Sequence, residues 1–205
     1  MHAILFIGGD PPPRQTAHSY LRTADCVIAA DSGAHTAELF GVSIDILIGD
    51  MDSIGDGPQP EAAEVVRYPR DKDYTDTELG LREARRRGAD DVTIIGGGGG
   101  RLDHLLGIYQ LFNRSEPPRA WLSSQGSAFY VDAEIRLNLP TGSLISVFPL
   151  GEGEVRLRSR GLHWPLNALH WRLGDCGISN VSTAPEIVVS PECGAALVVV
   201  PCKEG

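Results

Sequence analysis

The 205-residue sequence predicts an α/β protein, with an N-terminal mostly parallel sheet carrying helices on both faces, followed by a C-terminal all-β sandwich. Three observations carry that expectation. To about Gln125, short apolar runs alternate with helical stretches, the pattern of successive βα units. Beyond Gln125 the pattern changes to period-two alternation broken by turn residues, and helical periodicity is lost. Several of the early apolar runs also end in acidic residues or glycines, where open α/β sheets bind ligands. The chain therefore divides into residues 1–125, α/β, and residues 126–205, a β-sandwich.

In the first part, strands are expected over 3–7, 26–30, 44–48, 65–68, 92–95 and 120–123. Helices are expected over 15–22, 34–40, 76–87 and 103–113. The third helix has the clearest local signals. Thr75-x-x-Glu78 fits a capping box, Gly88 fits the position after the last turn, and Arg85, Arg86 and Arg87 suit the negative end of the helix dipole. Pro117-Pro118 breaks the chain before the last of these strands. In the second part, strands are expected over 134–139, 144–148, 154–157, 186–189 and 195–200. Pro140-Thr141-Gly142 and Gly151-Glu152-Gly153 supply turns between them.

Composition narrows the function. Lys and Arg number 18 against 27 Asp and Glu, a formal net charge of −9, which opposes a nucleic-acid surface because phosphate binding needs clustered cations. Residues 1–9 are apolar but too short for a signal sequence, and no run approaches the length of a membrane-spanning helix. A cytoplasmic location without membrane or nucleic-acid partners is the expectation. Cys26, Cys176, Cys193 and Cys202 lack Cys-x-x-Cys spacing, so reduced thiols fit better than a zinc site.

The chemistry concentrates at strand ends. Asp31 follows one apolar run, and Asp50 and Asp52 follow the next; on neighbouring parallel strands these carboxylates converge at one sheet edge. Hard cations such as Mg²⁺ take such oxygen ligands while gripping a substrate phosphate. Asp-x-Asp also occurs as a turn cap, but Asp73, Asp76 and Asp103 lie at equivalent strand ends, and so many like charges repel unless a cation is bound. The run Gly96–Gly100 leads into Arg101 and a helix. Consecutive glycines can turn N–H groups toward an anion, although a flexible turn is the simpler alternative. It matches neither a P-loop nor Gly-x-Gly-x-x-Gly. Lys72 and Arg101 are the cations best placed to meet phosphate charge, with pairing of Lys72 to Asp71 or Asp73 as the alternative. His104 is a hydrogen-bond donor or a structural residue.

These motifs, taken in order, resemble the thiamine pyrophosphokinase family. The resemblance rests on Asp31-Ser32-Gly33-Ala34, Gly49-Asp50-Met51-Asp52-Ser53-Ile54, residues 72–78, Gly99-Gly100-Arg101-Leu102-Asp103-His104, residues 161–166 and Gly177-Ile178-Ser179-Asn180. It covers nearly the whole chain. It implies an ATP- and Mg²⁺-binding catalytic domain, a thiamine-binding β domain and a homodimer with active sites at the subunit interface. The implied reaction converts ATP and thiamine to AMP and thiamine diphosphate. By motif position, Asp50, Asp52 and Asp76 would hold Mg²⁺, with Asp31 and Asp73 beside them. Lys72, Arg101, Gly99 and Gly100 would meet phosphates next to Asp103 and His104, and Trp164, Ser179 and Asn180 would line the thiamine pocket. An indole face suits the cationic thiazolium. A core position is the alternative for Trp164, whereas Trp121 and Trp171 are expected to pack.

The family's first motif usually reads Asp-Gly-Gly-Ala-Asn where Ser32 and His35 stand here. Ile108 replaces an Asn one turn after Asp103-His104, and Val181 stands where Glu is frequent. These departures fall on nucleotide and acceptor contacts and leave the carboxylates untouched. Competing readings are a diphosphokinase for another hydroxymethyl heterocycle such as a pterin, a Mg²⁺-dependent phosphohydrolase with an aspartyl nucleophile, and a nucleotide or thiamine sensor without turnover.

Overall fold

The computed structural model describes residues 1–51 and 60–202. The chain forms two compact units, one of Met1–Leu111 with Pro118–Gln125, the other of Phe112–Pro117 with the chain from Gly126 onward.

The first unit contains strands β1 (His2–Phe6), β2 (Cys26–Ala30), β3 (Ile44–Gly49), β4 (Ala62–Arg67), β5 (Asp91–Ile95) and β6 (Ala120–Ser123). They run parallel in the order β6-β5-β1-β2-β3-β4. Strand order reverses between β1 and β5, which opens a crevice beyond their carboxyl ends. Four helices connect the strands: α1 (Arg14–Arg22), α2 (Gly33–Phe40), α3 (Asp76–Arg86) and α4 (Leu102–Leu111). Alternation along β1 separates two covered faces. Ile4 and Phe6 pack with Ala17 of α1 and with Ala34, Ala37 and Phe40 of α2. Leu5, pointing oppositely, meets α3 at Gly80, where a Cβ would come within 2.5 Å of the Leu5 side chain. A strand so enclosed must be apolar throughout, which is why β1 and β2 read as continuous apolar runs.

The expected strand over 65–68 is instead Ala62–Arg67, paired from Ile44↔Ala62 to Gly49↔Arg67. It is an edge strand with mostly exposed residues, so its start carries no apolar signal.

The second unit is antiparallel. Strands β7 (Gly126–Val131), β9 (Leu144–Leu150), β11 (Gly177–Val181) and β13 (Ala195–Pro201) pair in the order β11-β9-β13-β7. Strands β8 (Ile135–Asn138), β10 (Arg156–Arg160) and β12 (Glu186–Cys193) form a second sheet in the order β10-β12-β8. Val131, Ile145, Val147, Ala196 and Val198 from one sheet share a core with Leu157, Ile187 and Val189 from the other. That is the expected sandwich, with two strands the sequence reading did not include, β7 and β11. Another strand is displaced: residues 154–157 were expected, but β10 runs Arg156–Arg160. Its outward residues are arginines that pair with Glu186 and Glu192 of β12, so polarity disguised it.

Candidate active site

Each residue at the carboxyl edge of the parallel sheet is held by a local feature of the backbone. Asp31 follows β2 with φ of 49°, a left-handed conformation that Asp tolerates better than most residues, and its N–H donates to Ile48 O at 2.8 Å. Gly49 ends β3 with φ of 143°. A Cβ there would lie 3.0 Å from Asp76 Oδ1 and 3.3 Å from Asp31 Cβ, so glycine lets the two carboxylates close around the strand end. Asp76 opens α3 behind the expected capping box. Thr75 Oγ1 accepts from Glu78 N at 3.2 Å, and Glu78 Oε2 accepts from Thr75 N at 2.9 Å.

Ligand oxygens of Asp31, Asp50 and Asp76 lie within 4.8 Å of one another. Lys72 Nζ reaches into this group, 2.9 Å from Asp50 Oδ2 and 3.0 Å from Asp76 Oδ1. Asp31 is only 8% exposed, and its Oδ1 is buried without a hydrogen-bond partner. Asp76 Oδ1 contacts the Lys72 ammonium without hydrogen-bond geometry. Burial pushes the Asp76 carboxyl above its ordinary value, and the neighbouring charges of Asp31 and Asp50 add to this against the opposing pull of Lys72. Burial alone would lower Lys72, but the hydrogen bond to Asp50 and the attraction of the Asp76 and Asp50 charges outweigh it and raise that group.

This donor set fits a hard divalent cation. It is all oxygen, it carries excess negative charge, and it holds a buried carboxylate oxygen for which the protein supplies no donor. Such an orphan costs several kcal/mol in order of magnitude unless a cation or water satisfies it.

The other expected residues are placed differently. Asp52 lies outside the described residues. Asp73 is exposed and does not join the cluster. Asp103 also lies apart from it, pairing with Arg101 at 2.5 Å with both side chains exposed. The alternative pairing of Lys72 with Asp71 or Asp73 gives way to Asp50 and Asp76, because Lys72 stands four residues before Asp76 and its long stem turns inward. His104 is exposed at the first turn of α4.

The glycine run is tightly packed on one side and open on the other. A Cβ at Gly96 would lie 2.3 Å from Ile7 O, whereas at Gly100 it would meet nothing within 4 Å. Gly96, Gly97, Gly99 and Gly100 all have positive φ, so the run is built for glycine. Gly98 and Asp10 exchange backbone hydrogen bonds of 2.7 and 3.1 Å. A Cβ on Gly99 would fall 2.2 Å from Asp10 Oδ2. The Asp10 carboxylate therefore lies against the glycine loop. The sequence reading omitted Asp10, although Gly8-Gly9-Asp10 follows β1 as Asp31 follows β2.

In the second unit Trp164 is 58% exposed, which removes the core alternative. Asn180 clamps its backbone: Asn180 Oδ1 accepts from Trp164 N at 3.1 Å and Nδ2 donates to Trp164 O at 2.7 Å. Buried Asn180 thus positions Trp164. His163 packs edge-on to the indole at 4.5 Å. Ser179 is exposed with φ of 62°, and its N–H donates to Ser146 Oγ at 3.2 Å. Trp121 and Trp171 do pack: Trp121 Nε1 donates to Gly96 O at 2.8 Å, and Trp171 lies against the sandwich core.

Residues 17–120 match the profile described as thiamin pyrophosphokinase, catalytic domain, and residues 132–195 match that of the thiamin pyrophosphokinase vitamin B1 binding domain. The chain belongs to the thiamin pyrophosphokinase family. The general function of that family is transfer of a diphosphoryl group from ATP to thiamine, and membership makes the chain an enzyme of the transferase class. A thiamine pyrophosphokinase of Bacillus subtilis (strain 168) is 29% identical over 162 residues, covering 72% of this chain and 73% of the relative. Among solved structures, a thiamin pyrophosphokinase family protein from Enterococcus faecalis is 22% identical with a TM-score of 0.81, covering 100% of both chains. The thiamine pyrophosphokinase of Bacillus subtilis gives 24% and 0.78, again over 100% of both. At these identities the two structures establish the shared fold, the α/β unit and the sandwich.

Proposed function

We propose that this chain is an ATP-dependent thiamine diphosphokinase, in which residues 1–125 form the ATP- and Mg²⁺-binding catalytic domain and residues 126–205 the thiamine-binding domain. The observation that carries this reading is the Asp31, Asp50 and Asp76 cluster with its orphaned buried oxygen, standing within the span that matches the catalytic profile. Asp50 and Asp76, with Asp31 and, by sequence position, Asp52, would hold Mg²⁺. When bound, that ion would cancel charge on the transferring phosphates. Attack of the thiamine hydroxyl on the β-phosphorus of ATP expels AMP, so the protein's task is alignment and charge cancellation.

Arg101 lies at the mouth of the glycine loop on an exposed stem, and exchanging Asp103 for a phosphate oxygen would cost it little. Trp164, fixed by Asn180 but open on its face, is suited to a cationic thiazolium. The composite dimer site and a cytoplasmic location belong to the same proposal. The described residues contain no helix long and apolar enough to cross a membrane.

Product analysis tests this directly. With ATP, Mg²⁺ and a panel containing thiamine and hydroxymethylpterin, AMP and thiamine diphosphate should form together in equal amounts. ADP, free phosphate or diphosphorylated pterin as the main product would overturn it.

A further inference from the structure

We propose that Lys72 is a built-in placeholder for the divalent cation: its ammonium neutralises the carboxylate cluster when the metal is absent and is expelled when the metal enters. The inference rests on the divalent-cation reading of that cluster. Lys72 Nζ bridges Asp50 Oδ2 at 2.9 Å and Asp76 Oδ1 at 3.0 Å, with only 10% of its side chain exposed. Its charge therefore sits among the oxygens that a cation would share.

Two cations cannot occupy that volume together. An ammonium holds oxygens at hydrogen-bond distance, whereas Mg²⁺ draws them to about 2.0–2.1 Å and tolerates no cation between them. The exchange is also favoured by charge. Three carboxylates with one ammonium leave a formal charge of −2, and a divalent ion in its place leaves −1. Lys72 cannot satisfy the third carboxylate, since Asp31 Oδ1 remains without a partner. The placeholder thus prevents collapse of the empty site by repulsion without completing it. Once expelled, a flexible ammonium beside the cluster is free to meet an anion that arrives with the metal.

The sequence makes this measurable, because Lys72 and Lys203 are its only lysines. Acylation of the full-length wild-type protein by an amine-reactive reagent, read by peptide mass spectrometry, reports each separately. Adding saturating Mg²⁺ without nucleotide should raise Lys72 labelling on the order of 10-fold, while labelling of Lys203 and the α-amino group stays constant. In parallel, Lys72→Met removes the competitor. Its affinity for Mn²⁺, measured by electron paramagnetic resonance without nucleotide, should tighten about 10-fold against wild type.

Unchanged Lys72 labelling, or Mn²⁺ binding to Lys72→Met no tighter than wild type, overturns the placeholder while leaving the metal site standing. Absence of Mn²⁺ binding in both proteins overturns the metal site and the placeholder together. Should Lys72→Met fail to fold, the wild-type labelling decides alone.

Discussion

The two ends of helix α3 carry charge clusters built on opposite plans. At its start, Asp76 joins Asp31 and Asp50 around Lys72, with net negative charge and a buried oxygen left unpaired. Two turns later, buried Glu83 receives Arg86 Nε at 2.7 Å, Arg86 Nη2 at 2.5 Å and Arg87 Nε at 2.7 Å, while Arg87 Nη2 reaches Glu64 at 2.7 Å. There, two guanidiniums answer two carboxylates. Arg86 above all, with Arg87, holds the Glu83 carboxyl below its ordinary range, whereas burial beside like charges holds Asp76 above its own. The balanced cluster is complete as it stands and serves structure. The unbalanced one keeps net negative charge and an unpaired buried oxygen, the deficit that the proposed cation would fill.

Breaking the unbalanced end should produce the largest effect. Asp50→Asn and Asp76→Asn should each lower the transfer rate on the order of 100-fold or more, because each removes an anchor for charge cancellation in the transition state. Thermal unfolding of the metal-free variants should match or exceed wild type, since a repelling charge is gone. A collapse of stability with retained specific activity would reverse the assignment of roles.

The indole of the second unit comes next. Trp164→Ala should raise the thiamine KM roughly 2- to 30-fold, the span of a 0.5 to 2 kcal/mol cation–π contact, with the ATP KM unchanged. Trp164→Phe should recover part of the loss. Because the ring is more than half exposed, the melting temperature should move little. Equal loss toward both substrates would make Trp164 a packing residue.

A smaller effect is expected at the balanced end. Glu83→Gln should cost about 1–2 kcal/mol, below the full penalty for a buried pair because Arg86 remains largely solvated. The sign with pH follows from the lowered folded-state pKa. The Glu83 contribution is fully present above its unfolded value near ~4.3 and is lost as pH falls through the folded value. Asp76 behaves oppositely: its raised carboxyl makes metal-free wild type lose stability as pH rises through that folded value. Denaturant unfolding across this range should show the Glu83→Gln deficit shrinking in acid. A constant deficit would detach it from the ion pair.

Legibility in the sequence followed the range of the interactions. The capping box of Thr75 and Glu78 is local, and both its hydrogen bonds formed as read. Asp31, Asp50 and Asp76 were legible because βα alternation alone brings strand ends to one edge. Lys72 was read as a phosphate contact with Asp71 or Asp73 as alternative partners, and its bridge to Asp50 was not legible, since it spans 22 residues and depends on burial of the stem. Asp10 was missed because its strand-end carboxylate lies on the glycine loop through contacts no local pattern encodes. The hold of Asn180 on the Trp164 backbone was not legible, because it is a pairing across 16 residues that sequence spacing does not reveal. Strand β11 escaped for a related reason: its register shifts between Gly177 and Asn180, which breaks the alternation that betrays other strands.

The contrast between the two clusters reduces to one measurement, thermal unfolding of wild type, Asp76→Asn and Glu83→Gln as MgCl₂ is titrated at constant ionic strength without nucleotide. The account requires a saturable rise for wild type, approaching about 2.7 kcal/mol at 100 times the dissociation constant. Glu83→Gln should show the same rise from a lower start, and Asp76→Asn little or none. An equal response in all three proteins, or none in wild type, would contradict the claim that the Asp31, Asp50 and Asp76 cluster is built to hold a divalent cation.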